Sequence, residues 1–490
     1  MEGVLVSRQA TETSATVDLT LSVKLSDAKR NATVTQIQDW QDSSPPDVMD
    51  NKPLDQNCKV FSLPKYSAFG SGETDEFGTW IQGREAFLSD RNFRESLEDD
   101  WRSLAEKSDH TEGLMITSPM SDGFGGLTSA FLEMLRDEHM KDPIFTTAHL
   151  SDAYGWKRAD TERSIAQRVL NEALSLQSFE ELSSIVLPIQ PPCSWEDHVA
   201  WAKYLRDDLP RHETMQLVQT IHLQSVNSDL RLVTLAEPSG LSDSCSVLNW
   251  RGDNKLASLT GSIPLLPPAI LRASDGQKIL KSSLYDFSIY PTEADTERDI
   301  IFAQYSIIRG YEGDELSRIG DVLQRSTTLK DPLVRWLATS PGFPILKTNA
   351  PVFRSLGWNG RPIAVSPPLP QLPNVVIAPK EPLYQLNKTH IEQPDSVPVL
   401  STLSTGTSAR LLLDHLTSSI NEMRRVRAGI LVFYEGGEYG IGREGISECA
   451  ERLETLADGL ALAAGFTRQG EDLDDDENFP EPDSEEIDWD

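Results

Sequence analysis

Apolar and polar positions divide the stretch from Thr111 to Thr147 into four pieces. Leu114, Met115 and Ile116 form an apolar run suited to a buried strand, and Pro119 through Gly126 break it as a glycine-rich loop. After the loop, Leu127, Phe131, Met134 and Leu135 recur at helical spacing while Glu133, Arg136 and Asp137 face outward. Pro143 ends that helix, and Ile144 and Phe145 open a second strand, giving a βαβ unit whose crossover should be right-handed.

The same reading extends along the chain. Val17, Leu19, Leu21, Val23 and Leu25 alternate with polar residues as a half-buried strand. Phe93, Leu97, Trp101 and Leu104 predict a helix over Ser89–Ser108; Ile165, Val169, Leu170 and Leu174 predict another over Thr161–Leu176. Ser183–Pro192 reads as a strand, Trp195–Leu209 as a helix and Ile301–Gly310 as a strand. Leu412, Leu416, Ile420 and Met423 line a helix over Thr405–Arg425, whose C-terminal Arg424, Arg425 and Arg427 suit its dipole, and a last helix covers Gly445–Ala464.

Between these elements, residues 41–79 are rich in Ser, Pro, Asp and Gly and predict a long loop. Residues 225–268 lose periodicity, and 366–373 (SPPLPQLP) suit an extended linker. The organisation expected is an N-terminal segment, partly strand, over 1–40; an α/β domain over 41–225; a variable insertion or boundary over 226–300; a C-terminal α/β region over 301–465; and an acidic disordered tail over 466–490. From Glu471 onward the tail holds 12 acids and no base.

Composition narrows the function classes. A net charge of −31 argues against direct nucleic-acid binding or a general affinity for anionic membranes. Cys58, Cys193, Cys245 and Cys449 are far apart with no CxxC pairing, which suits a reducing compartment and no metal site. His198 and His212 have no acid or thiol at metal spacing and read as surface residues. No apolar run reaches the roughly 18 residues of a membrane span. The N-terminus has neither a secretory core nor an Arg-rich presequence. Arg251-Gly252-Asp253 is an adhesion tripeptide by letter only. Spacing assembles no Ser-His-Asp, Cys-His or paired-carboxylate arrangement, so no catalytic residue is assigned.

The candidate site is the glycine-rich stretch. Gly123, Gly125 and Gly126 would let backbone approach a ligand, and the first amides of the following helix favour an anion such as phosphate. Neither a Walker lysine nor GxGxxG spacing accompanies them, so a tight strand-to-helix turn with no ligand stands as the alternative.

Residues 121–139, SDGFGGLTSAFLEMLRDEH, resemble the glycine-rich loop and helix of the tubulin superfamily, and more closely its divergent Misato branch of mitochondrial inheritance proteins. Residues 66–87, with Trp80, Gly83 and Glu85, the stretch ending in Glu106 and Asp109, the strand closed by Arg309-Gly310, and the aromatic stretch Pro351 to Trp358 are similar to further family segments. The resemblance implies a tubulin-like, Rossmann-type sheet flanked by helices. It assigns nucleotide contact to Gly123, Gly125, Gly126, Thr128 and Ser129, and base reading to Asn171 of VLNEALSLQ, with GTP as the cofactor.

Two departures oppose that assignment. Phe124 and Leu127 stand where the tubulin loop GGGTGSG is small, and the acidic Gly-x-x-Asn-x-Asp loop of tubulin-type hydrolysis has no counterpart. The Gly-Gln-x-x-Asn loop expected after the first strand is also missing, so the chain is expected to be truncated or begun elsewhere at its start, or its branch to have lost that part. By the resemblance, the chain is a non-catalytic protein of mitochondrial inheritance, organelle distribution and morphology, and mitochondrial DNA maintenance. It would work at the cytosolic face of the mitochondrion and in the cytoplasm, through protein partners of the mitochondrial surface or cytoskeleton. The alternatives are a self-assembling GTP-binding tubulin relative with weak GTPase activity, and a soluble cytoskeletal or chaperone-associated scaffold.

Overall fold

The computed structural model describes residues 2–12, 15–25, 58–63, 66–67, 75–106, 111–138, 141–151, 162–190, 219, 221–223, 225–226, 241–249, 251–262, 285–288, 301–309, 353–359, 363–364, 396–397, 399–426, 431, 434 and 439–474. In the N-terminal half the strands are β1 (Glu2–Glu12), β2 (Ala15–Leu25), β3 (Cys58–Leu63), β4 (Tyr66–Ser67), β5 (Asp75–Glu76), β6 (Thr111–Pro119), β7 (Ile144–His149) and β8 (Ile185–Ile189). The helices there are α1 (Trp80–Ser89), α2 (Arg91–Glu106), α3 (Gly123–Glu138) and α4 (Glu162–Leu182). Beyond them come α5 (Leu241–Leu248), β9 (Ala257–Ser262), β10 (Tyr285–Asp286), β11 (Ile301–Arg309), β12 (Phe353–Asn359), β13 (Ile363–Ala364), β14 (Ser396–Val397), β15 (Val399–Gly406), α6 (Ala409–Val426) and α7 (Gly442–Asp474).

Six strands form the first sheet in the order β3-β2-β1-β6-β7-β8. Its β6-β7-β8 half is parallel, with Ile116 opposite Thr146 and Thr147 opposite Leu187. Every residue of β8, and all of β7 but His149, is buried, as expected of parallel strands covered on both faces. The other half is built on a hairpin, because β1 pairs antiparallel with both β2 and β6. The expected strand at residues 17–25 is thus β2, and β1 before it is an addition. Residues 2–12 and 15–25 therefore contribute two inner strands to this sheet.

The βαβ unit β6-α3-β7 matches the periodicity, with one correction. Gly123, Gly125 and Gly126 are the first turn of α3 and not a loop before it. Similarly, the stretch expected as a loop over 41–79 holds β3, which pairs with β2, and the two-residue ladder of β4 with β5. The second sheet runs β10-β9-β15-β11-β12, and its inner strand β9 falls inside the stretch expected to be a variable insertion. That strand lacks an apolar alternation because hydroxyls fill its buried polar positions: Ser258 meets Ser404 at 2.9 Å. Thr405 belongs to β15, so the helix expected from that residue begins at Ala409.

The two sheets meet where the Val186 amide donates to the Lys255 carbonyl at 2.8 Å. One hydrophobic core takes side chains from α1, α2, α3, α4, α6 and α7, with Trp101, Phe131, Phe179 and Tyr434 among its largest buried members. Helix α7 runs to Asp474, past the start of the stretch expected to be disordered, and residues 475–490 lie outside the described residues. So do the expected helix at 195–209, the linker at 366–373, His198 and His212. Among the described helices none is long and apolar enough to cross a membrane.

Candidate functional site

The site predicted from sequence lies where β6 gives way to α3, and each of its residues is buried. An isolated helix start leaves its first amides without partners. Here Gly123 N donates to the Phe77 carbonyl at 3.2 Å, Phe124 N to Asp122 Oδ1 at 2.9 Å, and Gly125 N to the Asp122 carbonyl at 3.2 Å. Asp122 is thus the N-cap, and its carboxylate holds the position at the helix end that favours an anion. The residue is half-buried, and desolvation pushes its pKa up to about 6 against the pull of the Phe124 amide.

The three glycines are explained by what lies against them. A Cβ on Gly126 would stand 1.7 Å from the Trp80 carbonyl oxygen, and one on Gly83 of α1 would stand 1.7 Å from the Gly123 carbonyl oxygen. Helices α1 and α3 therefore touch backbone to backbone, through a reciprocal glycine pair. A Cβ on Gly123 would meet the Phe77 ring at 2.8 Å, and one on Gly125 would meet Ser175 Oγ at 2.0 Å. Phe124 turns away from the junction's surface into the core, fully buried and edge-on to Phe77 with ring centroids 5.0 Å apart. The arginine of α1 reinforces the pair: Arg84 makes a two-pronged contact with Glu133 of α3 at 2.6 and 3.0 Å and lies over the Trp80 ring.

Thr128 and Ser129 are also committed inside the chain. Thr128 Oγ1 lies 2.8 Å from Ser118 Oγ, and Ser129 Oγ donates to the Gly125 carbonyl at 2.8 Å. Asn171, fully buried on α4, has its whole amide engaged. Its Oδ1 accepts from Trp80 N at 2.9 Å and from the Tyr434 hydroxyl at 2.6 Å, and its Nδ2 donates to the carbonyls of Gly78 and Ser121, both at 2.8 Å. An amide offers two lone pairs and two hydrogens, so this set fills its capacity and fixes which way it faces.

The structure gathers Gly123, Gly125, Gly126, Thr128, Ser129 and Asn171 into one place. It adds Phe77, Gly78, Trp80, Gly83, Asp122, Ser175 and Tyr434, which sequence reasoning did not assign. Asp122, and the start of α1 that carries Trp80 and Gly83, each had a sequence signature. Thr79-x-x-Gln82 is a capping box, with both reciprocal bonds present at the start of α1, and an Asp directly before a helix is a favoured N-cap.

Other chemistry-bearing groups are kept neutral by desolvation. His149, at the end of β7, has its pKa lowered to about 4 by desolvation, and His222, buried against Ser401 at 2.7 Å, is lowered to about 3. The buried thiols of Cys245 and Cys449 are pushed up to about 12, far from the thiolate that nucleophilic or metal chemistry requires. Among the described residues no cluster of His, Cys, Asp and Glu could hold a metal ion. The Arg251-Gly252-Asp253 turn is structural: Arg251 pairs with Asp253 and stacks over Phe302 at 4.7 Å.

Residues 60–222, which contain this whole junction except Tyr434, match a family described as a tubulin domain. Protein DML1 of Gibberella zeae is 26% identical over 190 residues, covering 39% of this chain and 37% of that protein. Protein DML1 of Phaeosphaeria nodorum is 28% identical over 204 residues, covering 41% and 38%. Human protein misato homolog 1 is 32% identical over 131 residues, covering 26% and 22%. The chain thus spans less than two fifths of the length of these curated relatives. The tubulin-like α/β fold and the matches to DML1 and misato proteins support a member of the Misato/DML1 family, of fungal type.

Proposed function

We propose that the chain is a non-catalytic tubulin-like protein that works through protein partners in mitochondrial inheritance. It serves organelle distribution, morphology and maintenance of mitochondrial DNA from the cytosolic face of the mitochondrion and the cytoplasm. The mitochondrial part of this reading rests on the resemblance of residues 121–139 and 301–310 to the Misato family. The non-catalytic part rests on one observation: the amide of Asn171, expected to read a guanine base, is saturated by Trp80, Tyr434, Gly78 and Ser121. The close packing of Gly123, Gly125 and Gly126 against protein atoms supports the same view, since a phosphate would have to displace those neighbours.

The test is nucleotide occupancy. The purified chain is denatured and the supernatant assayed for guanine nucleotide, with Asn171→Asp as the comparison. A folded protein that releases none supports a binding scaffold. Stoichiometric GTP or GDP, lost in the variant, overturns it in favour of a GTP-binding tubulin relative. The cellular half is tested separately: depletion that leaves mitochondrial morphology and organelle DNA normal removes the inheritance role.

A further inference from the structure

Tyr434 lies between α6 and α7, and it is fully buried. Its carbonyl accepts from Ile441 N at 2.9 Å, which ties it to the approach to α7. Its hydroxyl reaches α4, 2.6 Å from Asn171 Oδ1 and 3.1 Å from the Gln167 carbonyl. The hydroxyl has one proton, and the shorter contact identifies Asn171 as its acceptor.

Gln167 joins the same junction, because its Nε2 donates to the Gly78 carbonyl at 2.8 Å, beside the Asn171 Nδ2 bond to that oxygen. The turn at residues 77–80 is therefore held from α4 by two side chains. Both of those residues are also met by Tyr434.

We propose that Tyr434 is a latch: its docking on Asn171 sets the order of the 77–80 turn and of the first turn of α3, coupling the C-terminal helix pair to the glycine-rich helix. The physical route is a single amide plane. Asn171 Oδ1 is shared between the Tyr434 hydroxyl and Trp80 N, so losing one donor lets the plane rotate and loosens the Trp80, Gly78 and Ser121 bonds together. The coupling is reciprocal, so a partner that grips α6 or α7 tightens the α1–α3 junction, and one that grips α1 tightens the C-terminal pair. This inference rests on the reading above that the Asn171 amide is engaged within the chain.

The experiment is amide hydrogen exchange on the full chain, comparing Tyr434→Phe with Ile446→Val. The first removes only the hydroxyl. The second trims a buried side chain of α7 and leaves Asn171 untouched. Tyr434→Phe should speed exchange roughly five-fold in peptides spanning 78–83 and 121–126, the factor that one lost buried hydrogen bond produces. Peptides in β7 and β8 should not change, and Ile446→Val should leave 78–83 as in the wild type. The latch is overturned if Tyr434→Phe leaves 78–83 unchanged, if β7 and β8 accelerate equally, or if Ile446→Val accelerates 78–83 as much.

Discussion

If the glycines of α3 are there for packing, a single methyl group decides between that role and phosphate contact. Gly126→Ala places a Cβ 1.7 Å from the Trp80 carbonyl oxygen, where ordinary contact begins at 3.4 Å. The obstructing atom is backbone, so no rotamer relieves the clash, and α1 and α3 must separate. Overpacking of this kind costs about 1–3 kcal/mol. An unrelieved backbone clash belongs at the upper end, while Ala in place of Gly within a helix returns about 1 kcal/mol. The net expectation is a loss of about 2 kcal/mol. Gly459→Ala is the matched control, because Gly459 is exposed on α7 with nothing within 4 Å of its would-be Cβ. It should gain about 0.5–1 kcal/mol from helix propensity alone. Denaturant midpoints of the two variants, measured beside the wild type, should therefore move in opposite directions. Were Gly126 there to admit a phosphate to open backbone, both variants would be stabilised. A Gly126→Ala protein as stable as the wild type would refute the packing account.

Two further outcomes follow from groups around the same core. Asp122 has a folded-state pKa raised to about 6, so the folded chain holds that proton more tightly than the unfolded one; this contribution to stability is present at low pH and is lost as pH rises from about 4 to 6. Asp122→Asn keeps a capping oxygen without a buried charge, so the stability difference between wild type and variant should shift against the wild type across that window, and a pH-independent difference in parallel melts would contradict it. Lys255 Nζ donates to the carbonyls of Glu180 and Glu181 at 2.7 and 3.1 Å, capping the C-terminal end of α4. Lys255→Met should cost about 1 kcal/mol in denaturant titrations, and an unchanged midpoint would show that water replaces the lysine at no loss.

How far the sequence could be read depends on what each glycine and each hydroxyl turned out to touch. The βαβ unit was legible because Leu127, Phe131 and Leu135 repeat along one buried face, a pattern that survives any tertiary context. Helix α1 was not, since Gly83 in WIQGREAFLS counts against a helix by propensity, and its reason for being there, the Gly123 carbonyl, is 40 residues away. The start of α3 was misplaced for the same reason: a run of glycines reads as loop unless Asp122 is recognised as the cap that lets the helix begin among them. Strand β9 was hidden because Ser258 is buried against another hydroxyl and leaves no apolar alternation to see. The placement of β1 between β2 and β6 is a pairing choice that no local pattern encodes. The candidate site presents the same problem at higher stakes. A phosphate and a carbonyl oxygen make the same demand of a helix start: small residues, free amides and no obstructing Cβ. In this chain Phe77, Trp80 and Asp122 meet that demand from within, and Asn171, whose amide would suit a base, closes the set with Tyr434. The tubulin-like pattern of small residues thus has a sufficient structural cause in this chain, and a nucleotide would have to compete with all of these contacts at once.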